Sequence, residues 1–288
     1  MILSMTGYAA VSADSPRGRL SLELRSVNAR FLDIQFRIAE ELRALEPLLR
    51  ELILARVTRG KLDCRLYFAD ASVAQKLQRL DVEAVSRLKA LADEAGRAFP
   101  QASPLRLADV LRWPGVIGEA EADDQTMRAA VAGLGERALE ELIGARGREG
   151  AKLATSIQER VATMRMRVEK IAPLVPQSVA AYQAKLAERL REAMGSGQEE
   201  RIRAETAVFA AKVDVEEELT RLSAHFSEVE RTLQKGGTAG KRLDFLAQEL
   251  NREANTLASK AASQAISDCA LELKLLVEQI REQTQNIE

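Results

Sequence analysis

The sequence predicts an α+β protein: a small strand-rich N-terminal domain followed by a long-helix, mostly α-helical region. Three observations carry that expectation. Residues 2–11 and 19–27 alternate apolar and polar positions, the mark of a strand with one face buried. From Glu40, again over 81–98, and then with few breaks from about Asp124, apolar residues instead recur at steps of three and four, the helical period. Aromatics make up only 4% of the 288 residues, so the core must be built from Leu, Ala, Val and Ile.

The elements follow in order. Leu20, Leu22 and Leu24 face one way and Ser21, Glu23 and Arg25 the other, with a turn at Asp14–Gly18 before them. Residues 26–30, SVNAR, break the alternation, and Phe31–Arg37 begins another strand. Leu42, Leu45, Leu48, Leu49, Leu52, Ile53 and Val57 make a helical stripe, closed near Gly60. Lys61–Phe68 reads as a strand again, completing a domain over residues 1–70. A helical middle region is expected over 71–198. In it an amphipathic helix spans 81–98, and Leu111–Ile117 holds the sole Trp beside a Pro-Gly turn, a cluster that fits a core or a subunit contact, core being the commoner fate. Long helices follow from about Asp124 until Pro173 and Pro176 stop the pattern. Residues 177–194 form a further helix, closed by Gly195-Ser196-Gly197, and 199–234 resume the pattern. Residues 199–288 form the third region. Helices of this length exceed what one small core buries, so an assembly of several subunits is expected.

Composition narrows the function. The formal net charge is -1, so a nucleic-acid binder would need a local basic surface. Such a surface is offered by residues 146–170, where Arg146, Arg148, Lys152, Arg160, Arg165, Arg167 and Lys170 outnumber Glu149, Glu159 and Glu169, although a solvated helix face explains the same run. Cys64 and Cys269 lie far apart and read as buried free thiols. MILSMTGYAA is too short and polar for a signal peptide, and no apolar run reaches membrane-spanning length, so a cytoplasmic protein with no membrane partner is expected. HExxH, CxxC, GxSxG, GxGxxG and aromatic RNA-reading motifs are all absent. With one His per chain, a two-histidine acid–base pair within a subunit is excluded.

Chemistry concentrates near the C-terminal end. Leu243, Leu246, Leu250, Ala254, Leu257 and Ala261 form one apolar stripe, and Asp244, Gln248, Asn251, Asn255 and Ser259 run beside it. Glu249 and Glu253 are four apart and project from one face; Glu278 and Glu282 repeat the spacing on the next helix. Glu218, Arg221 and His225 sit three and four apart beside the stripe of Leu219, Leu222 and Phe226. Residues 235–242, KGGTAGKR, form a Gly-rich basic loop that is no P-loop but has amides, a helix start and two cations suited to phosphate; a flexible connector is the alternative.

Three N-terminal stretches, SMTGY, ELRSVNARFLD and TRGKLDCRLYF, together with the ending GKRLDFLAQELNREANTLASKA…LELKLLVEQIREQTQNIE, resemble the two signatures of the YicC/YloC family of bacterial proteins. The resemblance runs from Met5 to Glu288 and is weakest between about Ser72 and Met194. It implies a metal-dependent endoribonuclease acting on single-stranded RNA, assembled as a homo-oligomer with a hexamer as the suggested form, and a place in small-RNA turnover. A non-catalytic oligomeric RNA-binding or scaffold protein is the alternative. On the nuclease reading, Glu249 and Glu253, joined by Glu278 or Glu282, would hold a divalent cation, magnesium or manganese. Arg252 and Lys260 would stabilise the charge building on the phosphorane. His225 would serve as general acid or orient water, with Glu218 fixing its ring. Arg25, Asn28, Arg30, Arg59, Lys61, Lys241 and Arg242 would line the RNA path, since they sit in the two motifs and flank turns. The competing reading of the same charges is an Arg–Glu lattice that cements helices.

Overall fold

The computed structural model describes residues 1–15, 17–69, 78–101, 103–119, 124–194 and 198–288; Asp70, the last residue of the expected N-terminal domain, lies outside them. The N-terminal sheet has four strands, β1 (Gly7–Ser15), β2 (Gly18–Val27), β3 (Leu32–Ile38) and β4 (Gly60–Phe68), in the order β1-β2-β4-β3. β1, β2 and β4 are antiparallel, and β3 runs parallel to β4. That parallel pair needs a crossover, which a 3₁₀ turn (Glu40–Leu45) and α1 (Glu46–Arg56) provide. Period-two alternation puts Leu20, Leu22, Leu24, Leu62, Cys64 and Leu66 on one buried face, packed against Leu49 and Ile53 of α1. The other face carries Arg25, Lys61, Arg65 and Tyr67.

Residues 78–119 make a small separate core. β5 (Gln78–Leu80) pairs antiparallel with β6 (Ile117–Glu119), strands the sequence did not announce. α2 (Val82–Ala98) is capped by Asp81, whose Oδ1 accepts the Ala84 N–H at 2.9 Å. With α3 (Leu107–Arg112), it buries only Ala84, Leu88 and Val116. Of the 111–117 cluster Val116 alone is core; Leu111, Trp113 and Ile117 stay exposed.

α4 (Asp124–Ile171) is 48 residues long, about 70 Å at 1.5 Å per residue. Its first half buries Met127, Val131, Leu134 and Leu142 under the sheet, and its second half buries Ile157, Val161, Met164 and Val168 among the C-terminal helices. After α4, α5 (Val175–Met194) and α6 (Glu199–Val213) pack on each other. The helix expected over 199–234 breaks at Asp214. Its Oδ1 accepts the Glu216 N–H at 3.0 Å, and Glu216, Glu217 and Glu218 fill the first turn of α7 (Glu216–Lys235), where acids suit a helix N-terminus. α8 (Gly240–Lys260) and α9 (Gln264–Thr284) follow. α4 contacts α7 and α9, and α8 contacts the same two, so the four make a bundle with α7 and α9 on its diagonal. Leu222, Phe226, Leu250 and Leu273 fill it. Both cysteines are free and buried; desolvation pushes the Cys64 thiol up to about 12 and the Cys269 thiol up to about 11. No helix among the described residues is long and apolar enough to cross a membrane.

The two cores are joined by a polar junction. Residues 2–6 do not continue β1. Their backbone finds partners elsewhere: Ser4 N–H donates to Arg146 O, Met5 N–H to Asn286 O, and the Glu288 N–H to Leu3 O. Arg146, expected on an exposed helix face, is 1% exposed. Its Nε donates to Ser4 O at 2.6 Å and a terminal nitrogen to Glu288 Oε2, while Thr58 donates to Glu288 Oε1 at 2.7 Å. A Cβ on Gly150 would strike the main-chain oxygen of Ile2, so only glycine lets the segment lie on α4. Beyond Arg146, two cations of α4 tie helices together: Arg165 to Glu230 of α7 and Arg167 to Glu272 of α9.

Candidate active site

The polar faces of α7 and α8 meet along a seam whose antiparallel register is set by three ion pairs. Lys260 reaches Glu218 at 2.9 Å, Arg221 lies 3.6 Å from Glu253, and Arg242 lies 3.2 Å from Glu228. Glu218 and Glu253 are each 4% exposed. A carboxylate that deep is costly unless its oxygens are paired. Glu218 Oε1 accepts from Lys260 Nζ, yet its Oε2 is buried with no hydrogen-bond partner. Arg221, the charged neighbour of Glu253, is shared with Glu217 one turn before it. Glu217 is the main cause of a raised Arg221 pKa; desolvation opposes it and Glu253 adds to it. At the other end, desolvation pushes Glu228 up, but hydrogen bonds and charge from Arg242 and Arg231 outweigh it and leave its pKa below the ordinary carboxylate value.

His225 is half-buried on α7 between Arg221 and Glu228, on the stretch of α7 that faces the middle of α8. Glu218 does not orient its ring, contrary to the sequence expectation. The two lie seven residues apart, about 10 Å along a helix, and the partner of Glu218 is Lys260, which also donates to Asp214 O at 3.1 Å. Glu249 is half-buried one turn from Glu253, and Arg252 is exposed. Glu278 and Glu282 are exposed on α9, where Glu278 pairs with Arg281 at 3.8 Å. Because α7 and α9 are diagonal, the α9 acids do not join Glu253 on its α7 side. Among the described residues no three His, Cys, Asp or Glu side chains gather as a metal-binding group. The Asn and Gln positions of α8 bond along the helix, Gln248 to Asp244 and Asn255 to Asn251, each at 2.9 Å.

The candidate RNA-binding residues fall into two groups that meet at one tail. At the end of the sheet, Asn28 Nδ2 donates to Gln285 O at 2.7 Å, Arg59 Nε donates to Ala29 O at 3.0 Å, and the Arg30 guanidinium lies over the Phe31 ring. Arg25 is exposed, in register with Tyr8 and Asp63; Lys61 is half-buried opposite Asp33. From the other side come Lys241, exposed, and Arg242, held by Glu228. The Gly-rich loop before them is a docked connector. Gly237 N–H donates to Met1 O, and Ala239 and Gly240 N–H both donate to Glu288 O, so these amides are occupied. Sequence reasoning missed the roles of Arg146, Thr58 and Glu288, whose pairing across 142 and 230 residues leaves no local pattern.

The arrangement puts buried acids, a histidine and several cations on one open helix pair, a set able to bind a phosphodiester and move protons. The family described as endoribonuclease YicC-like matches the chain twice, its N-terminal region over residues 2–155 and its C-terminal part over 171–288. The chain is 37% identical over 295 residues to the probable endoribonuclease YicC of Haemophilus influenzae, covering all of both proteins. It is 29% identical over 293 residues to the protein of the same name from Clostridioides difficile, again end to end. With both halves matched and a relative aligned along its full length, this chain belongs to the YicC-like endoribonuclease family.

Proposed function

We propose that this endoribonuclease is metal-dependent, cuts single-stranded RNA in the cytoplasm at the α7–α8 seam, works as a homo-oligomer with a hexamer as its form, and serves small-RNA turnover. One observation carries the placement of the chemistry: Glu253 is buried at 4% exposure, yet its charged neighbour stands 3.6 Å away and is shared with Glu217. A carboxylate kept only to cement two helices would be expected to take closer bonds.

The donor chemistry fits a hard divalent ion. Magnesium is commonly held by one or two carboxylates, with water and substrate phosphates completing its shell. Glu253 and Glu249 would hold it, with water and the RNA phosphate filling the remaining positions. When bound, the ion would polarise the phosphate and lower the pKa of a bound water. The protein's own groups do the rest. His225 gives a proton to the departing oxygen, Arg252 offsets charge on the phosphorane, and Lys260, held by Glu218 two turns along the seam, contacts the RNA backbone. Lys241 and Arg242 contact the RNA backbone.

The test is cleavage of a labelled single-stranded RNA by the purified full chain, with chelator and after return of magnesium or manganese, beside calorimetric titration of the ion. The proposal expects cleavage that stops with chelator and returns with metal, and ion binding that weakens in Glu253→Gln. Undiminished cleavage in chelator would overturn the metal dependence.

A further inference from the structure

The chain has few aromatics, and one of them stands exposed at the end of the seam. Phe245 lies on α8 one turn after Arg242 and is 48% exposed. The Arg242 guanidinium sits 5.5 Å from the centroid of its ring and bonds Glu228 across the seam at 3.2 Å. Arg242 is therefore held between a carboxylate and a phenyl ring. Residues 242, 245, 249 and 252 follow at helical steps, so Phe245 shares a face with Glu249 and Arg252. Glu228 is shared by Arg231 and Arg242, and on α8 itself Lys241, Arg242 and Arg252 outnumber Asp244 and Glu249. An exposed ring in a locally cationic surface fits a ligand that is both anionic and flat.

We infer that Phe245, beside Arg242, is a stacking platform for one unpaired nucleobase of the RNA strand held at the seam. The inference rests on the endoribonuclease reading of that seam. Only an unpaired base can offer its face to the ring, so the platform favours single strands over duplexes, and it does so for any base, because every base has a π face. The Arg242 guanidinium adds a cation beside the stack.

The experiment measures binding of the full chain to a short labelled single-stranded RNA in chelator, by fluorescence anisotropy over a range of salt. Phe245→Ala should weaken binding roughly 5- to 150-fold, the range of one lost base stack. The salt dependence should keep its slope, since no phosphate contact is removed. Phe245→Trp should bind like wild type, and Phe245→Leu should resemble Ala. Phe99→Ala removes another ring, 70% exposed at the end of α2, and should change nothing. Equal affinity of Phe245→Ala and wild type would overturn the platform alone. So would full rescue by Leu, or a change of subunit mass in light scattering that Leu restores, which would place the ring in a subunit contact. A wild-type protein that does not bind single-stranded RNA would remove the RNA reading of the seam, and this proposal with it.

Discussion

At the junction Arg146 is 1% exposed, and it donates to a main-chain oxygen at 2.6 Å and to the Glu288 carboxylate. At the seam Glu253 is almost as deep, but Arg221 stands 3.6 Å from it, and nearby Glu218 keeps one oxygen unpartnered. Both regions are polar contacts inside helical packing. The junction satisfies its groups with backbone and short side-chain bonds, as a contact selected for stability does. The seam leaves one buried carboxylate oxygen without a partner and the other acid 3.6 Å from a shared cation, which costs stability. On the proposed function, the difference separates a lock from a working surface. It also implies that substitutions in the two places fail differently: the junction loses the fold first, the seam loses the reaction first.

The largest effect on stability is expected at the junction. Arg146→Ala takes the cation from Glu288 Oε2 and the donor from Ser4 O, and should cost about 3–5 kcal/mol, read by urea unfolding, while the fraction still folded cleaves at its usual rate. At the seam, His225→Gln should lower kcat by about 10²–10⁴ with the urea midpoint almost unmoved. A His225→Gln protein that unfolds early and cleaves normally would reverse the comparison.

A smaller effect separates the two cores by pH. Desolvation raises Cys64 to about 12 and Cys269 to about 11, against an ordinary value of 9.0. Because the folded thiols hold their protons longer than the unfolded ones, their contribution is complete below pH 9 and fades as the pH climbs from there toward 12. Cys64→Ala should flatten the alkaline loss of stability measured by thermal melting between pH 8 and about 10.5. Neither thiol of the folded protein should react with iodoacetamide at neutral pH.

Much of the fold was legible because period and burial coincide. Leu20, Leu22 and Leu24 alternate and are buried; Leu243, Leu246, Leu250 and Leu257 step by three, four and seven, and are buried. The break at Asp214 was legible in principle, since an aspartate ahead of three glutamates is a helix-start signal that the continuing apolar stripe overrode. The junction was not legible, because its partners are hydrogen bonds between residues 4, 58, 146 and 288, set by tertiary packing alone. At the site, the i,i+4 pair of Glu249 and Glu253 was correctly placed on one helix, but spacing could not say that Glu253 turns toward Arg221 and away from the acids of α9. Nor could it say that Glu218 belongs to Lys260, 42 residues away, and not to His225 on its own helix.

The central claim, that the α7–α8 seam carries the chemistry, is tested most directly by Glu253→Gln. The exchange keeps the shape of the side chain and removes its charge. Single-turnover cleavage of a labelled single-stranded RNA is measured for wild type and variant, each checked by its melting temperature. The account predicts an unchanged or slightly higher melting temperature, RNA binding within a factor of about two to three, the scatter expected of single-contact effects, and cleavage reduced by orders of magnitude. A folded Glu253→Gln protein that cuts RNA at the wild-type rate would contradict it.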